Sequence, residues 1–526
     1  MRRGYLLASF LVPTLIRAIP EAVSFPWPIG YDTVYLYAPL IHAFQIYGFF
    51  PALSFYIYMK YYSLPFYIII GGLGILSQAD PFLILKVVAP FLCGFLGFSI
   101  FYFCSHFLGW GDEKSLFCAI LSTVYFVSLG LSFGFFRNIL SLGFFFLAIS
   151  ETKNLDKWKN TALFSLLSFM CTFSHEVVTL ILLFATVYII LAMIYDRLRR
   201  KSTVSMRVFV GPSLSILFCV VFTLLYMGNF DLYSSGGFLS NKLSVLVDYT
   251  SWNLGDVGFY PTTIDLGHHI LLFFLFCYAP LLLFVLWGYF KCRPLDAMSL
   301  LLLGASFMPL VLPHSALPYW WRWMLMLVFP FTVYTSNALF PSEGETIVRK
   351  WLENVFFYYL EKRCGSQNLT SKILSVRFSR RRILLVFVVL VSVLSFTFMV
   401  FPYEHPFPYY SNIVIQLYFP PSMQANTFPI SECDEAMLAT IWLNWNMPQN
   451  SCLIAHKNLL GWAMLNVNFR PIYSYSGVST GLLQALEQAS LYNSTYVITT
   501  WNYDYFIRTS GFNLVFNLGQ IEVFKK

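Results

Sequence analysis

Residues 177–195 read VVTLILLFATVYIILAMIY, an apolar run without a charged side chain, and Asp196-Arg197-Leu198-Arg199-Arg200-Lys201 follows at once. A bilayer core takes about 20 helical residues to cross, so the run reads as a membrane span. The basic cluster that closes it marks a cytoplasmic end. The whole chain shares this character: of 526 residues 58% are hydrophobic and 11% charged, too little polar surface to cover a soluble globule of that size. The formal charge of +8 is carried in short clusters between apolar runs, such as Arg377, Arg380, Arg381 and Arg382. They read as topology signals and not as a nucleic-acid surface, so no nucleic-acid partner is expected.

Runs of similar character recur at 5–20, 81–107, 116–133, 139–151, 161–174, 208–227, 269–290, 297–312, 322–340 and 383–401. They predict a mainly α polytopic helical bundle of about 11–13 spans in the plasma membrane. The basic loops at Lys153, Lys157 and Lys159, at Arg197 to Arg207, at Lys291 and Arg293, and over 341–382 are every second loop, so all four can lie on one cytoplasmic face. That places the N-terminus in the cytoplasm. The first outer loop (21–80), Arg137 with Asn138, Ser174-His175-Glu176, the 228–268 loop, His314 to Arg322 and everything after 401 fall on the opposite face. Met1-Arg2-Arg3 and the apolar run after it look like a signal peptide, but a small-residue cleavage site is missing and Arg17 interrupts the run, so it reads as a retained span. Residues 62–77 are apolar enough to span yet would reverse the parity, and are assigned to a surface or re-entrant element within the first outer loop. The mixture of Trp351, Phe356, Phe357, Tyr358 and Tyr359 with basic residues makes 341–382 a cytoplasmic interfacial segment.

Residues 1–401 thus form the transmembrane domain and 402–526 an extracytoplasmic α/β domain, in which β-like runs at 452–455 and 496–500 alternate with a helical pattern at 482–491. Asn493-Ser494-Thr495 is an outer glycosylation sequon, and Asn368-Leu369-Thr370 lies on the cytoplasmic side. Cys93, Cys104, Cys118, Cys171, Cys219 and Cys277 lie in apolar runs and lack metal-ligand spacing. Cys433 and Cys452 are in the polar region, where a disulfide between them is possible. No phosphate-binding glycine loop, nucleophile elbow or His-Glu-x-x-His helix occurs.

Ionisable groups at a membrane boundary call for a partner, a wet cavity or a reaction. Asp32, in the turn Pro28-Ile29-Gly30-Tyr31-Asp32-Thr33, is a candidate base, with an N-cap or turn aspartate as the alternative. Arg322 and Arg137 suit a lipid phosphate because the guanidinium fork binds it bidentately; snorkelling to headgroups is the alternative. His175 and Glu176 could supply acid–base or metal-ligand chemistry, or simply cap a helix. Lys60, His42 and His314 lie in the same outer elements. Metal dependence is left open by these residues.

Gly30-Tyr31-Asp32-Thr33-Val34-Tyr35, Lys60-Tyr61-Tyr62-Ser63-Leu64-Pro65-Phe66-Tyr67 and Trp321-Arg322-Trp323-Met324 through Phe329-Pro330 together resemble the GT-C superfamily of integral-membrane glycosyltransferases, of the protein mannosyltransferase and aminoarabinose transferase types. The overall plan and the heavy Phe, Tyr, Ile and Leu usage resemble archaeal members. The resemblance implies transfer of a sugar from a polyprenyl- or dolichyl-phosphate donor to a protein, glycan or lipid acceptor on the outer face. Asp32 would be the catalytic acid residue of the first loop and Arg322 would contact the carrier phosphate. Asn138 stands where many members place a second acid, a departure that bears on any two-carboxylate or metal-dependent chemistry. The Trp-Trp-Asp-Tyr-Gly sequence of oligosaccharyltransferases does not occur, which favours transfer of a single sugar. Two other readings are a transporter or flippase of lipid-linked sugars, and a non-catalytic receptor or assembly subunit on the same scaffold.

Overall fold

The computed structural model describes residues 2–30, 32–58, 63–200, 207–227, 263–310, 320–340, 386–393, 432–468, 470–475, 480–500 and 504–526. Tyr31, Lys60, His314, the 341–382 segment with Asn368, and most of the 228–268 loop lie outside the described residues.

The first apolar run folds as α1 (Arg2–Val23) and lies along α5 (Pro81–Tyr102). Their backbones meet where the side chains are smallest: a Cβ on Gly94 would stand 2.0 Å from Thr14 Oγ1, and one on Gly97 2.4 Å from the Ser9 carbonyl. Close contact through small residues is how helices associate in lipid, where burial of apolar surface supplies no drive. At its start α5 is capped by Asp80, whose carboxylate accepts from Phe82 N at 2.7 Å and Leu83 N at 3.2 Å, with Pro81 at the first position.

Between these spans lie α2 (Ala38–Tyr47), α3 (Phe49–Tyr58) and α4 (Leu64–Ser77). The 14 residues of α4 extend about 21 Å, short of the roughly 30 Å hydrocarbon core, and α4 packs on α2. The run 116–133 is two helices, α6 (Asp112–Val124) and α7 (Phe126–Ser132), meeting at 60°. The bend has a cause: Tyr125 leaves the helical conformation, at ψ 137°, and its hydroxyl donates to the Cys277 carbonyl at 2.8 Å.

The bundle continues through α8 (Phe136–Glu151), α9 (Trp158–Thr172), α10 (Glu176–Arg200), α11 (Arg207–Met227), α12 (Thr263–Gly288) and α13 (Arg293–Phe307). It closes with the broken pair α14 (Trp320–Met326) and α15 (Val328–Leu339), and with helical residues 386–393, whose Phe387 meets Phe284 at 4.8 Å. Among the described residues five helices are long and apolar enough to cross a membrane, and α6–α7 makes a sixth if taken as one bent span. Shorter helices, α8, α9, α13, α14 and α15, lie on the expected runs 139–151, 161–174, 297–312 and 322–340, and only 386–393 of the run 383–401 is described.

Charge is buried where α1, α5 and α7 meet. Arg17 Nη2 lies 2.7 Å from Glu21 Oε1 and donates to the Ser132 carbonyl at 3.2 Å; Lys86 Nζ lies 3.4 Å from Glu21 Oε2 and 3.0 Å from Ser24 Oγ. One carboxylate thus holds two cations from different helices, and Arg17 is fully buried.

The C-terminal unit begins with α16 (Cys433–Asn446) and builds a five-stranded sheet of order β2-β1-β3-β5-β4. Its elements are β1 (Ser451–His456), α17 (Lys457–Asn466), β2 (Ile472–Tyr475), α18 (Thr480–Ala489), β3 (Ser494–Thr500), α19 (Asp504–Thr509), β4 (Asn513–Leu518) and β5 (Ile521–Lys525). Strands β1, β2 and β3 run parallel, as crossover helices require, while β5 is antiparallel to β3 and β4. Along β1 alternate residues face opposite ways: Leu453 and Ala455 join the core shared with the bundle, and Cys452 and Ile454 a second core. Cys433 belongs to the first core and Cys452 to the second, and neither is disulfide-bonded. The disulfide entertained from sequence is therefore corrected, because the sheet itself separates the two side chains.

Candidate functional site

The segment after α1 turns through Gly30, at φ +110°, and re-enters helix at Asp32. A Cβ on Gly30 would stand 1.3 Å from the Phe133 carbonyl oxygen, so only glycine lets this segment lie on the turn between α7 and α8. Residues Thr33–Tyr37 then form a π-helical turn, an under-wound geometry often found at functional sites. Asp32 stands at the N-cap of that turn, yet its side chain makes no capping bond.

The Asp32 carboxyl faces a set of charges brought from three other elements: Arg322 on α14, Arg137 on α8 and Glu176 at the start of α10 all lie within electrostatic reach. Burial raises the Asp32 carboxyl above its usual range, and the positive charges of Arg322 and Arg137 draw it part of the way back. Aromatic rings hold the arginines. The Arg322 guanidinium lies 5.1 Å from the Phe135 ring centroid and 5.1 Å from that of Trp321. Arg137 lies beside Tyr37, whose ring stacks on Phe136 at 5.3 Å.

His175 occupies the turn before α10. Val177 N–H donates to its Nδ1 at 3.2 Å, so the ring proton is on Nε2, which lies 3.4 Å from Glu176 Oε1. Burial holds this imidazole neutral by lowering it to about 3, despite the opposing pull of Glu176. The turn is tied to the first loop by Ser63, whose hydroxyl donates to the Ser174 carbonyl at 2.8 Å.

Asp32, Arg137, Glu176 and Arg322 are each partly accessible, whereas His175, Asn138, Tyr37 and Tyr67 are buried. Charged groups that keep some exposure within a ring of buried neighbours are what a ligand-facing cluster presents. Asn138 is on the same turn of α8, and among the described residues its carboxamide oxygen has no hydrogen-bond partner. His42, on α2, lies beside Asn468 of the C-terminal unit. No group of three or more His, Cys, Asp or Glu residues suited to a metal ion occurs among the described residues.

The arrangement brings together residues separated by up to 290 positions in the chain, Asp32 to Arg322. Its supports went unread in the sequence: Gly30, Tyr37 and the helix α17, where a Cβ on Gly461 would stand 2.0 Å from the Val34 carbonyl oxygen. Gly-Tyr-Asp carried a weak signal for the first, but a contact across several hundred residues leaves none.

No family model and no curated protein sequence matches the chain. Solved structures do. ArnT from Cupriavidus metallidurans in the apo state superposes with a TM-score of 0.51 at 12% identity, over 99% of this chain and 98% of that one. The same protein bound to undecaprenyl phosphate gives a TM-score of 0.50 at 11% identity with the same coverage. The chain has the GT-C fold. At this identity the likeness concerns architecture, and it extends over the bundle and the C-terminal sheet alike. Within the GT-C fold described here, the charged cluster lies where α1–α2, α7–α8, α9–α10 and α14 converge beneath the C-terminal unit.

Proposed function

We propose that this protein is a membrane glycosyltransferase that takes a sugar from a polyprenyl- or dolichyl-phosphate donor and delivers it to an acceptor on the outer face. One observation carries the reading: a carboxyl raised by burial and two arginines meet in one partly accessible cluster on the fold of a protein crystallised with undecaprenyl phosphate.

Asp32 takes the proton from an acceptor hydroxyl as the oxygen attacks the anomeric carbon from the face opposite the carrier. The bond between that carbon and the phosphate oxygen breaks, and its electron pair leaves on the phosphate. Arg322 and Arg137 bind the donor phosphate and stabilise the charge that grows on it. Glu176, held by the neutral His175, orients Arg137 and the acceptor. Asn138 would donate to the sugar or phosphate from the same turn, and Lys60 and His314 are assigned to the donor's surroundings from sequence alone.

The test is the full chain reconstituted in liposomes with radiolabelled polyprenyl-phosphate monosaccharides and membrane extract as acceptor source. Label leaving the carrier for an acceptor is the expected result. Label that crosses the bilayer still on its carrier would show a transporter instead.

A further inference from the structure

We infer that the C-terminal unit is a working part of the site, because its helix α17, through Gly461, sets the position of the Asp32 segment. The inference rests on the reading of Asp32 as the base.

The segment from Gly30 to Tyr35 is gripped on two sides. From the bundle, the Phe133 carbonyl fills the place of a Gly30 side chain. From the C-terminal unit, a Cβ on Gly461 would stand 2.0 Å from Val34 O, 2.8 Å from Val34 C and 2.9 Å from Tyr35 Cα, all of them backbone atoms. Helix α17 therefore rests its bare backbone on the chain two residues past Asp32. The π-helical turn exposes that carbonyl for a local reason. Ala38 N–H returns to the Thr33 carbonyl, but the next residue in the pattern, Pro39, has no N–H to return to Val34.

Neighbouring contacts hold α17 in place. Trp462 is fully buried, with its ring 5.2 Å from Trp27 and 5.6 Å from Phe82, while Trp27 and Phe82 are 5.4 Å apart. Trp27 lies on the approach to Gly30 and Phe82 opens α5, so this cluster joins the C-terminal unit to both flanks of the Asp32 segment. His42, on α2, also lies beside Asn468, just past the end of α17. Side-chain carbons essentially never approach backbone within 3.0 Å, so a methyl at 461 has to move one partner by about 1 Å, a displacement that can cost on the order of 100-fold in rate at a reacting centre. Gly461 is a positioning residue: it acts through Asp32 and touches no substrate itself.

The test is Gly461→Ala in the full chain, assayed for transfer from a radiolabelled polyprenyl-phosphate sugar. A fall in kcat on the order of 10- to 100-fold is expected, with donor KM within about threefold because Arg322 and Arg137 are carried by other helices. The acid limb of the kcat–pH profile should move to lower pH as the displaced carboxyl gains water, a change that general loosening of the fold would not produce. Asn468→Ala loosens the neighbouring contact of the C-terminal unit with α2 without a clash and should show a smaller loss of the same kind; it decides the matter if Gly461→Ala does not fold. Lys457→Ala, on the exposed side of α17, should behave as wild type. A Gly461→Ala enzyme within twofold of wild type, or one whose loss lies wholly in donor KM, overturns the inference. Asp32→Asn separates the two readings: if it stays active, the base assignment fails and this inference with it, whereas an inactive Asp32→Asn beside a fully active Gly461→Ala sinks the inference alone.

Discussion

Asp32 shares its cluster with two arginines and a second carboxylate, and this sharing sets its behaviour. The base works ionised, so activity is lost as pH falls through its pKa. Because burial raises that pKa above the usual value of about 3.9, the acid limb of kcat should lie above the range of an exposed aspartate. Arg322 is the strongest of the charges that lower it, so Arg322→Ala should move the limb to still higher pH while raising donor KM about tenfold or more. A limb unmoved by that substitution would separate the two residues functionally. His175→Asn removes the Nε2–H that faces Glu176 and should reduce kcat severalfold, read in the same transfer assay. Each of these residues was legible in the sequence as a charge or imidazole near a helix end. Their convergence was not, because sequence spacing says nothing about which helix ends meet.

Elements hold the site through contacts of two kinds. Gly30 on the Phe133 carbonyl is steric, and Arg17 donating to the adjacent Ser132 carbonyl is electrostatic; both fix the turn that leads to Phe135 and Arg137. Glu21 neutralises Arg17 and Lys86 together, so Glu21→Gln would leave two buried cations without a carboxylate. Breaking a buried pair in this way costs about 3–5 kcal/mol, and thermal unfolding of the purified protein in detergent should show a large drop for Glu21→Gln. A midpoint unchanged from wild type would mean the trio contributes little. Most long helices fall within a few residues of the apolar runs, since a long apolar run has few alternatives to a membrane helix, whereas α2 and α3 lie in what hydropathy left as the first outer loop. The break at Tyr125 and the π-helical turn at Thr33–Tyr37 were not foreseen: the first accompanies a hydroxyl bond to the Cys277 carbonyl in a distant helix, and the second is a one-turn irregularity that hydropathy does not register.

At the scale of the whole molecule, bundle and C-terminal unit form one apolar core, in which Trp462 and Leu459 join Trp27, Tyr37 and Phe82. The sequence marked the C-terminal region as a separate α/β unit from its change in composition, and its parallel β1–α17–β2 start agrees with that pattern. Composition could not show that α17 turns its glycine toward the Asp32 segment. The central claim is that the carboxyl at position 32 drives sugar transfer from a lipid phosphate gripped by Arg322. It is tested most directly by comparing kcat of wild type and Asp32→Asn with a radiolabelled polyprenyl-phosphate sugar at saturating donor. The account expects Asp32→Asn to lose on the order of 100-fold or more in kcat with donor KM not raised, since the variant removes a carboxylate that competes with phosphate for the arginines. An Asp32→Asn enzyme that keeps its activity within a few-fold would contradict it.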